Sequence, residues 1–192
     1  LTGKIVKPDL RDRKNLGAFM KRLVARNGEP IIRAAITRAM RIMGQQFVLG
    51  ENIVSALKTA EKKQAQGYRY SYDMLGEAAR TDADATRYFK EYSMAIEAIG
   101  KVAVSDSPIG SPGISVKLSA LHARYEFAKA DRIAGDLTAR LHSLAIKAKS
   151  FNINMTIDAE ETERLEISLA LFERLAHDPL LDNWEGLGFA IQ

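Results

Sequence analysis

Residues 114–120 read ISVKLSA and residues 153–158 read INMTID, and these two stretches decide the fold class. Each alternates between apolar and polar side chains, with Lys117 and Asp158 on the polar side. Alternation with a period of two is typical of a strand whose two faces meet different surroundings. Strands of a doubly wound sheet are apolar on both faces. The alternation therefore favours a barrel with polar residues inside its upper part.

Strand-like runs occur at five places in the chain, at residues 45–50, 68–76, 114–122, 153–161 and 186–192. Stretches with the helical spacing of apolar residues separate them. Parallel strands need long crossover connections, usually helices, so this order predicts consecutive β/α units. A complete (β/α)8 barrel takes about 250 residues. The sequence therefore predicts an α/β fold, the N-terminal half of a (β/α)8 TIM-like barrel, with four β/α units and a fifth strand over residues 45–192.

Residues 1–44 precede the barrel and are predicted to form two amphipathic helices. Residues 1–43 carry eleven Lys/Arg against three Asp/Glu, a local charge of +8 in a chain whose net charge is +4. Such a segment can bind nucleic acid, although arginines opposite an apolar stripe are more often a solvated helix face. A nucleic-acid-binding module through residues 1–43 stays open as an alternative function.

The composition excludes several classes of protein. The chain has no cysteine, and its three histidines lack metal-binding spacing, so we expect no disulfide, thiolate catalysis or metal site. With 46% hydrophobic residues the chain can bury a core. No apolar run approaches the roughly 18 residues that a membrane span requires. We therefore expect a soluble, globular protein.

Polar side chains at the C-terminal ends of the strands are the candidate site residues, because the active sites of such barrels lie there. Lys117 and Asp158 should reach the cavity from neighbouring strands and pair, since a buried charge is costly unless compensated. Glu77, directly after Gly76, is a third carboxylate of this layer. A Schiff-base aldolase would also place a desolvated lysine near a carboxylate, so an aldolase barrel using Lys117 stays open as a second alternative.

Four segments resemble, in this order, the proline dehydrogenase domain of the bacterial proline utilization A flavoproteins: SYDMLGEAA (71–79), ISVKLSALH (114–122), NINMTIDAEE (152–161) and GFAIQ (188–192). The resemblance extends over the whole chain. It implies a distorted (β/α)8 barrel that holds FAD and oxidises L-proline to Δ1-pyrroline-5-carboxylate, the first step of proline catabolism. It also implies hydride transfer to the flavin, electron transfer to a membrane quinone, and a cytoplasmic, homo-oligomeric parent protein peripherally associated with the inner membrane.

The same resemblance implies roles for individual residues. Lys117 would meet the proline carboxylate, and Asp158 would lie beside the substrate and the flavin, both as catalytic residues. Glu77 would help to close the substrate site by pairing with an arginine of the family's last barrel helix. Ala159, Ala190 and Gln192 would line the flavin. The later strands, the last helix, the family's DNA-binding segment and its aldehyde dehydrogenase domain are expected to lie outside this chain.

Overall fold

The computed structural model describes residues 30, 32–44, 48–76, 78–126 and 130–191, with side chains from residue 135 onward in the last range. The chain divides into two compact units, Leu1–Leu49 and Gly50–Gln192. In the first unit, Pro30 and residues 32–44 form helix α1. The apolar stripe predicted for this helix is exposed at Ile32, Ile36, Met40 and Met43. The other helix predicted in this unit lies outside the described residues.

The second unit is built on four parallel strands: β1 (Ser71–Asp73), β2 (Gly113–Val116), β3 (Met155–Ile157) and β4 (Leu187–Phe189). Their order in the sheet is β1-β2-β3-β4, the same as their order in the sequence, and all three pairings are parallel. A doubly wound sheet reverses its strand order at a switch point. The unreversed order of these strands is that of a barrel wall.

Helices lie in the connections between these strands, as the sequence predicts. Helix α2 (Ile53–Gln64) precedes β1, α3 (Asp82–Val102) follows it, and the remaining helices are α4 (Leu118–Leu121), α5 (Ala130–Ser150) and α6 (Leu165–Ala176). Single 3-10 turns occupy Thr162–Arg164 and Pro179–Leu181. Within the described ranges, none of the helices is both long enough and apolar enough to cross a membrane.

Helix α3 begins with a capping box formed by Thr81 and Asp84. The backbone N–H of Asp84 donates to the Thr81 hydroxyl, and the Thr81 N–H donates to the Asp84 carboxylate, each over 3.1 Å. Two backbone donors that lack a partner within the helix are satisfied in this way. The helix therefore starts at a defined residue, soon after β1.

The core lies between the apolar faces of the strands and the helices. Ile114, Val116, Met155 and Ile157 of β2 and β3 are fully buried. The helices cover them with residues at helical spacing, also buried: Tyr92, Ile96 and Ile99 of α3, and Leu137, Leu141 and Leu144 of α5. The alternating polar residues of β2 and β3 consequently share the opposite face of the sheet.

The strand predicted at residues 45–50 is not present over Val48–Gly50, and residues 45–47 lie outside the described residues. Gly50 instead leads into the start of α2, where the backbone N–H of Ser55 donates to the side chain of Asn52 over 2.9 Å. A Cβ on Gly50 would lie 2.3 Å from the Ser55 hydroxyl oxygen. The chain approaches the helix start too closely at this point for an extended run, so the prediction of a strand is wrong for Val48–Gly50.

Candidate functional site

The strand face opposite the helices carries the candidate site, because strand register aligns its polar side chains in rows. Asp73 of β1 is in register with Ser115 of β2, which is in register with Thr156 of β3. Lys117 and Asp158 each follow the last paired residue of their strand and lie one row nearer the C-terminal end. The strands thus deliver charged side chains to the edge where barrel active sites form.

Lys117 lies between two carboxylates. Its Nζ is 3.1 Å from Oδ2 of Asp158 and also forms an ion pair with Oδ1 of Asp73. The exposed fractions of the three side chains are 24% for Lys117, 26% for Asp158 and 40% for Asp73. Ion pairs with this much access to water contribute little to folding. The cluster therefore serves to organise charge at the strand ends more than to stabilise the fold.

Backbone hydrogen bonds fix the two strand ends that carry the cluster. The N–H of Lys117 donates to the phenol oxygen of Tyr92 over 3.2 Å, which ties the end of β2 to helix α3. The N–H of Asp158 donates to the carbonyl of Val116 over 3.0 Å. The N–H of Ala159 donates to Oδ1 of Asp158 over 3.0 Å, leaving Oδ2 of Asp158 directed at Lys117.

The structure places four of the six predicted site residues. Lys117 and Asp158 meet as expected, and Ala159 follows Asp158 directly. The N–H of Ala190 donates to the carbonyl of Ile157 over 2.9 Å, so Ala190 lies beside the end of β3. Glu77 and Gln192 lie outside the described residues, and their expected roles stay predictions.

Asp73 and Glu160 are charged residues of this region that were not predicted from the sequence. Asp73 could have been found, since the alternation of Ser71, Tyr72 and Asp73 places Asp73 on the polar face. Glu160 carries a side chain only 11% exposed. It accepts from the N–H of Ser119 over 3.1 Å and so joins the loop after β3 to helix α4, which follows β2.

A cavity of about 720 Å³ lies over Lys117, between the loops that follow β1, β2 and β3. Its lining includes Ala79, Lys117, Ser119, His122, Tyr125, Ala159, Glu160 and Arg164. Burial raises the pKa of Tyr125 to about 12, so this phenol stays neutral at physiological pH. Its hydroxyl donates to the Arg164 carbonyl over 3.4 Å. A cavity of this size suits a small-molecule ligand, and small-molecule pockets typically measure about 300–1,000 Å³.

The strand ends also offer an apolar, sparsely filled surface. Ala159 and Ala190 carry the smallest side chains that keep a Cβ, and Gly188 lies one row below Ala190. A Cβ on Gly188 would lie 3.0 Å from Oγ1 of Thr156, so the Thr156 side chain packs over this glycine. Leu75 and Ile191, which follow β1 and β4, are 69% and 85% exposed. The ends of β3 and β4 therefore carry little side-chain bulk at Ala159 and Ala190.

Two family models match the sequence. One, described as proline dehydrogenase, matches residues 56–192. The other, described as the DNA-binding domain of proline dehydrogenase, matches residues 1–47. The second match corrects the expectation that the family's DNA-binding segment lies outside this chain.

Curated relatives of similar sequence are PutA proteins. The chain is 49% identical over 191 residues to the bifunctional protein PutA of Salmonella typhimurium and 47% identical over 192 residues to that of Rhizobium meliloti. Both alignments cover all of this chain, which spans 14% and 15% of the length of those two relatives.

Solved structures of PutA proteins share the fold. A mutant of proline utilization A from Bradyrhizobium japonicum matches with a TM-score of 0.70 at 46% identity, over all of this chain and 19% of that chain. The protein from Bdellovibrio bacteriovorus inactivated by N-propargylglycine gives 0.78 over 84% of this chain and 18% of that chain. At 23% identity it supports the fold alone. The predicted N-terminal half of a (β/α)8 barrel is confirmed, and the chain belongs to the proline dehydrogenase family.

Proposed function

We propose that residues 50–192 supply part of the active site of an enzyme that oxidises L-proline to Δ1-pyrroline-5-carboxylate, the first step of proline catabolism. The observation that carries the proposal is the cluster of Lys117, Asp158 and Asp73 at the C-terminal ends of parallel strands. Membership of the proline dehydrogenase family supports the reaction class. Because the chain spans 14–15% of the length of its PutA relatives, the proposal concerns these residues within the whole protein.

The charges of the cluster suit the two ends of the substrate. L-Proline carries a carboxylate and a ring nitrogen on the same carbon atom, so its binding site needs a cation and a hydrogen-bond acceptor close together. The Lys117 ammonium and the Asp158 carboxylate are 3.1 Å apart and only about one quarter exposed. Lys117 binds the carboxylate in this proposal, and Asp158 accepts a hydrogen bond from the ring nitrogen and orients it. Lys117 lines the cavity, which gives the substrate access to the ammonium, and Ala159 of the same lining follows Asp158 directly.

FAD is the cofactor that we propose for this site, since the small side chains of Ala159 and Ala190 at the ends of β3 and β4 leave room for a flat ring. Asp158, Ala159, Ala190 and Gln192 are the residues proposed to hold it. FAD, when bound, supplies the acceptor for the hydride that leaves the ring CH2 group bonded to nitrogen, which is the carbon that does not carry the carboxylate. The Asp158 carboxylate stabilises the positive charge that develops on the substrate nitrogen in that step. The family resemblance extends the proposal to electron transfer from the enzyme to a membrane quinone.

The geometry argues against the aldolase alternative. A Schiff-base lysine attacks as the neutral amine, which requires a desolvated position or a neighbouring cation. Lys117 instead has two carboxylates around its ammonium, and both favour the charged form. Lys117 is therefore suited to binding an anion rather than to acting as a nucleophile.

A second function, DNA binding through residues 1–47, is favoured by the match to the model described as the DNA-binding domain of proline dehydrogenase. The local charge of +8 over residues 1–43 is consistent with it. Within the described part of this segment, Arg38 and Arg41 of α1 are exposed. We propose that this unit binds the phosphate backbone, which requires accessible cations more than a particular fold.

The visible absorption spectrum of the purified full-length protein tests the catalytic proposal. We expect flavin bands that bleach when L-proline is added without oxygen. Bands that L-proline does not bleach would contradict the substrate, and a spectrum without flavin bands would contradict the cofactor. The aldolase alternative predicts trapping of a carbonyl substrate on Lys117 by borohydride, which we expect not to occur.

A further inference from the structure

The proposed function gives Lys117 and Asp158 a role and leaves Asp73 without one. Asp73 ends strand β1, and its carboxylate forms an ion pair with the Lys117 ammonium. We propose that Asp73 is a positioning residue, which holds the ammonium between β1 and β3 in the orientation that receives the substrate carboxylate. The inference rests on the proposed function, because it requires that Lys117 binds a carboxylate.

Lys117 needs such a partner because its backbone contacts do not fix the position of its ammonium group. The hydrogen bond from its N–H to Tyr92 holds the strand end, but four methylene groups separate the backbone from Nζ. Strands β1 and β3 flank β2 on its two sides. Carboxylates from both neighbours therefore hold Nζ from two directions, and a single carboxylate would let it turn toward one side.

The spacing of β1 and β2 is set independently of the ion pair. Tyr72 is in register with Ile114, and the hydroxyl oxygens of Ser71 and Ser115 are 3.1 Å apart on the polar face below the cluster. The two strands thus stay paired without Asp73. Since the Asp73 side chain is 40% exposed, its ion pair contributes little to folding. Neutralising Asp73 should therefore affect the position of the ammonium and leave the fold intact.

Two opposing effects decide the sign of the change in binding. Asp73 repels an incoming carboxylate, which at about 6 Å in water weakens binding roughly threefold. Without Asp73 the lysine side chain would have to be ordered when the ligand binds, and the lost conformational entropy of a fully mobile lysine weakens binding by a larger factor, about 10- to 30-fold. Asp158 still restrains Lys117 when Asp73 is neutral, so only part of the larger factor is lost. We expect the net effect of neutralising Asp73 to be weaker binding, by about fivefold.

The test measures binding without turnover in the full-length protein. Cyclopentanecarboxylate keeps the ring and the carboxylate of proline but lacks the nitrogen, and its dissociation constant is obtained by calorimetry. The variants are Asp73→Asn, Lys117→Met and the double variant, with Asp73→Ser as a second neutral replacement. Asp136→Asn, which removes an exposed carboxylate from α5, is the matched control.

The expected result is non-additive. Asp73→Asn and Asp73→Ser should weaken binding about fivefold, and Lys117→Met should weaken it at least tenfold. The double variant should bind no more weakly than Lys117→Met, and up to about threefold more tightly, because without Lys117 only the repulsion by Asp73 is removed. Asp136→Asn should bind as the parent does. If Asp73→Asn binds like the parent, or if the double variant is fivefold weaker than Lys117→Met, the positioning role is overturned while the proposed function stands. If Lys117→Met itself binds like the parent, the proposed role of Lys117 fails, and this inference fails with it.

Discussion

At the scale of single residues, Lys117 is held at both ends of its length. Tyr92 of α3 accepts from its backbone N–H, and carboxylates of β1 and β3 surround its ammonium. The alternation in residues 114–120 and 153–158 predicted that Lys117 and Asp158 share a face. The same kind of pattern did not define where β1 ends, because polar and aromatic residues alternate throughout residues 68–73 while the strand spans only Ser71–Asp73. The role of Asp73 depends on that end and so was not predicted.

Replacing Lys117 tests the proposed substrate contact. In Lys117→Met the side chain keeps its length and loses its charge, so a charge-assisted contact worth about 1.5–3 kcal/mol should be lost. We expect KM for L-proline to rise roughly 10- to 150-fold, with the flavin still bound. Steady-state kinetics and the visible spectrum of the full-length protein measure the two effects. Unchanged proline affinity would remove Lys117 from the site.

Replacing Asp158 tests the electrostatic part of the proposed mechanism. Asp158→Asn keeps the shape of the side chain and its capacity to accept from the Ala159 N–H, but it removes the charge beside Lys117. In the proposed mechanism that charge stabilises the transition state more than the bound substrate, so kcat should fall on the order of 100-fold while KM changes much less. A rapid-reaction measurement of flavin reduction distinguishes the chemical step from later steps. A near-parental rate of flavin reduction in this variant would mean that the charge of Asp158 takes no part in the chemical step and that the side chain has only a packing role.

At the scale of elements, the sheet depends on close side-chain contacts at the N-terminal ends of its strands as well as on its buried face. Asn154 precedes β3 and donates through Nδ2 to the carbonyls of Pro108 and Ser111 over 3.2 and 3.4 Å. A Cβ on Gly113 would lie 1.7 Å from Oδ1 of Asn154. Of the five strands predicted from the sequence pattern, four are found in the described residues, because the pattern follows burial. It could not predict contacts of this kind, which depend on strand register, and the same limit applies to the error at Gly50.

No side chain can therefore be added at Gly113 unless Asn154 moves. Gly113→Ala must displace Asn154 and its two hydrogen bonds, which should cost about 1–3 kcal/mol in the free energy of unfolding. The matched control is Gly135→Ala, since no atom lies within 4 Å of a Cβ built on this helical glycine. The control should be neutral or more stable by roughly 0.5–1 kcal/mol. Denaturation by urea measures both, and combining Gly113→Ala with Asn154→Ala should recover part of the loss.

The outer face of β1 gives a prediction about alkaline pH. Burial, with a smaller contribution from Tyr70, raises the pKa of Tyr72 from 10.0 to about 12. The folded state therefore favours the neutral phenol, and this stability is complete below pH ~10 and is lost as the pH rises toward about 12. We expect the thermal midpoint of Tyr72→Phe to fall less between pH 9 and pH 11 than that of the parent. Parallel curves for the two proteins would show that Tyr72 does not titrate differently on folding.

At the scale of the whole molecule, the two units differ in charge and in the family models that they match. Residues 1–43 carry a charge of +8 in a chain of net +4, so the remaining residues are near −4. The basic unit matches the model described as a DNA-binding domain, and the acidic unit contains the barrel strands with the Lys117 cluster. An acidic barrel does not attract a polyanion, so any DNA affinity of the chain should reside in the basic unit.

Salt dependence tests that assignment. Neutralising a lysine or arginine that contacts a phosphate removes one released counterion and reduces the slope of log K against log salt by about 0.9. Arg38→Gln with Arg41→Gln in the full-length protein should therefore lower the slope by up to about 2 and weaken binding to DNA of any sequence. The matched control is Lys58→Gln with Lys62→Gln, two exposed residues of α2 whose replacement changes the net charge equally. If both pairs reduce the slope alike, the affinity comes from overall charge; if neither does, DNA contacts lie away from α1. Loss confined to the arginine pair, with flavin content and proline turnover unchanged, would assign DNA binding to the basic unit and catalysis to the barrel.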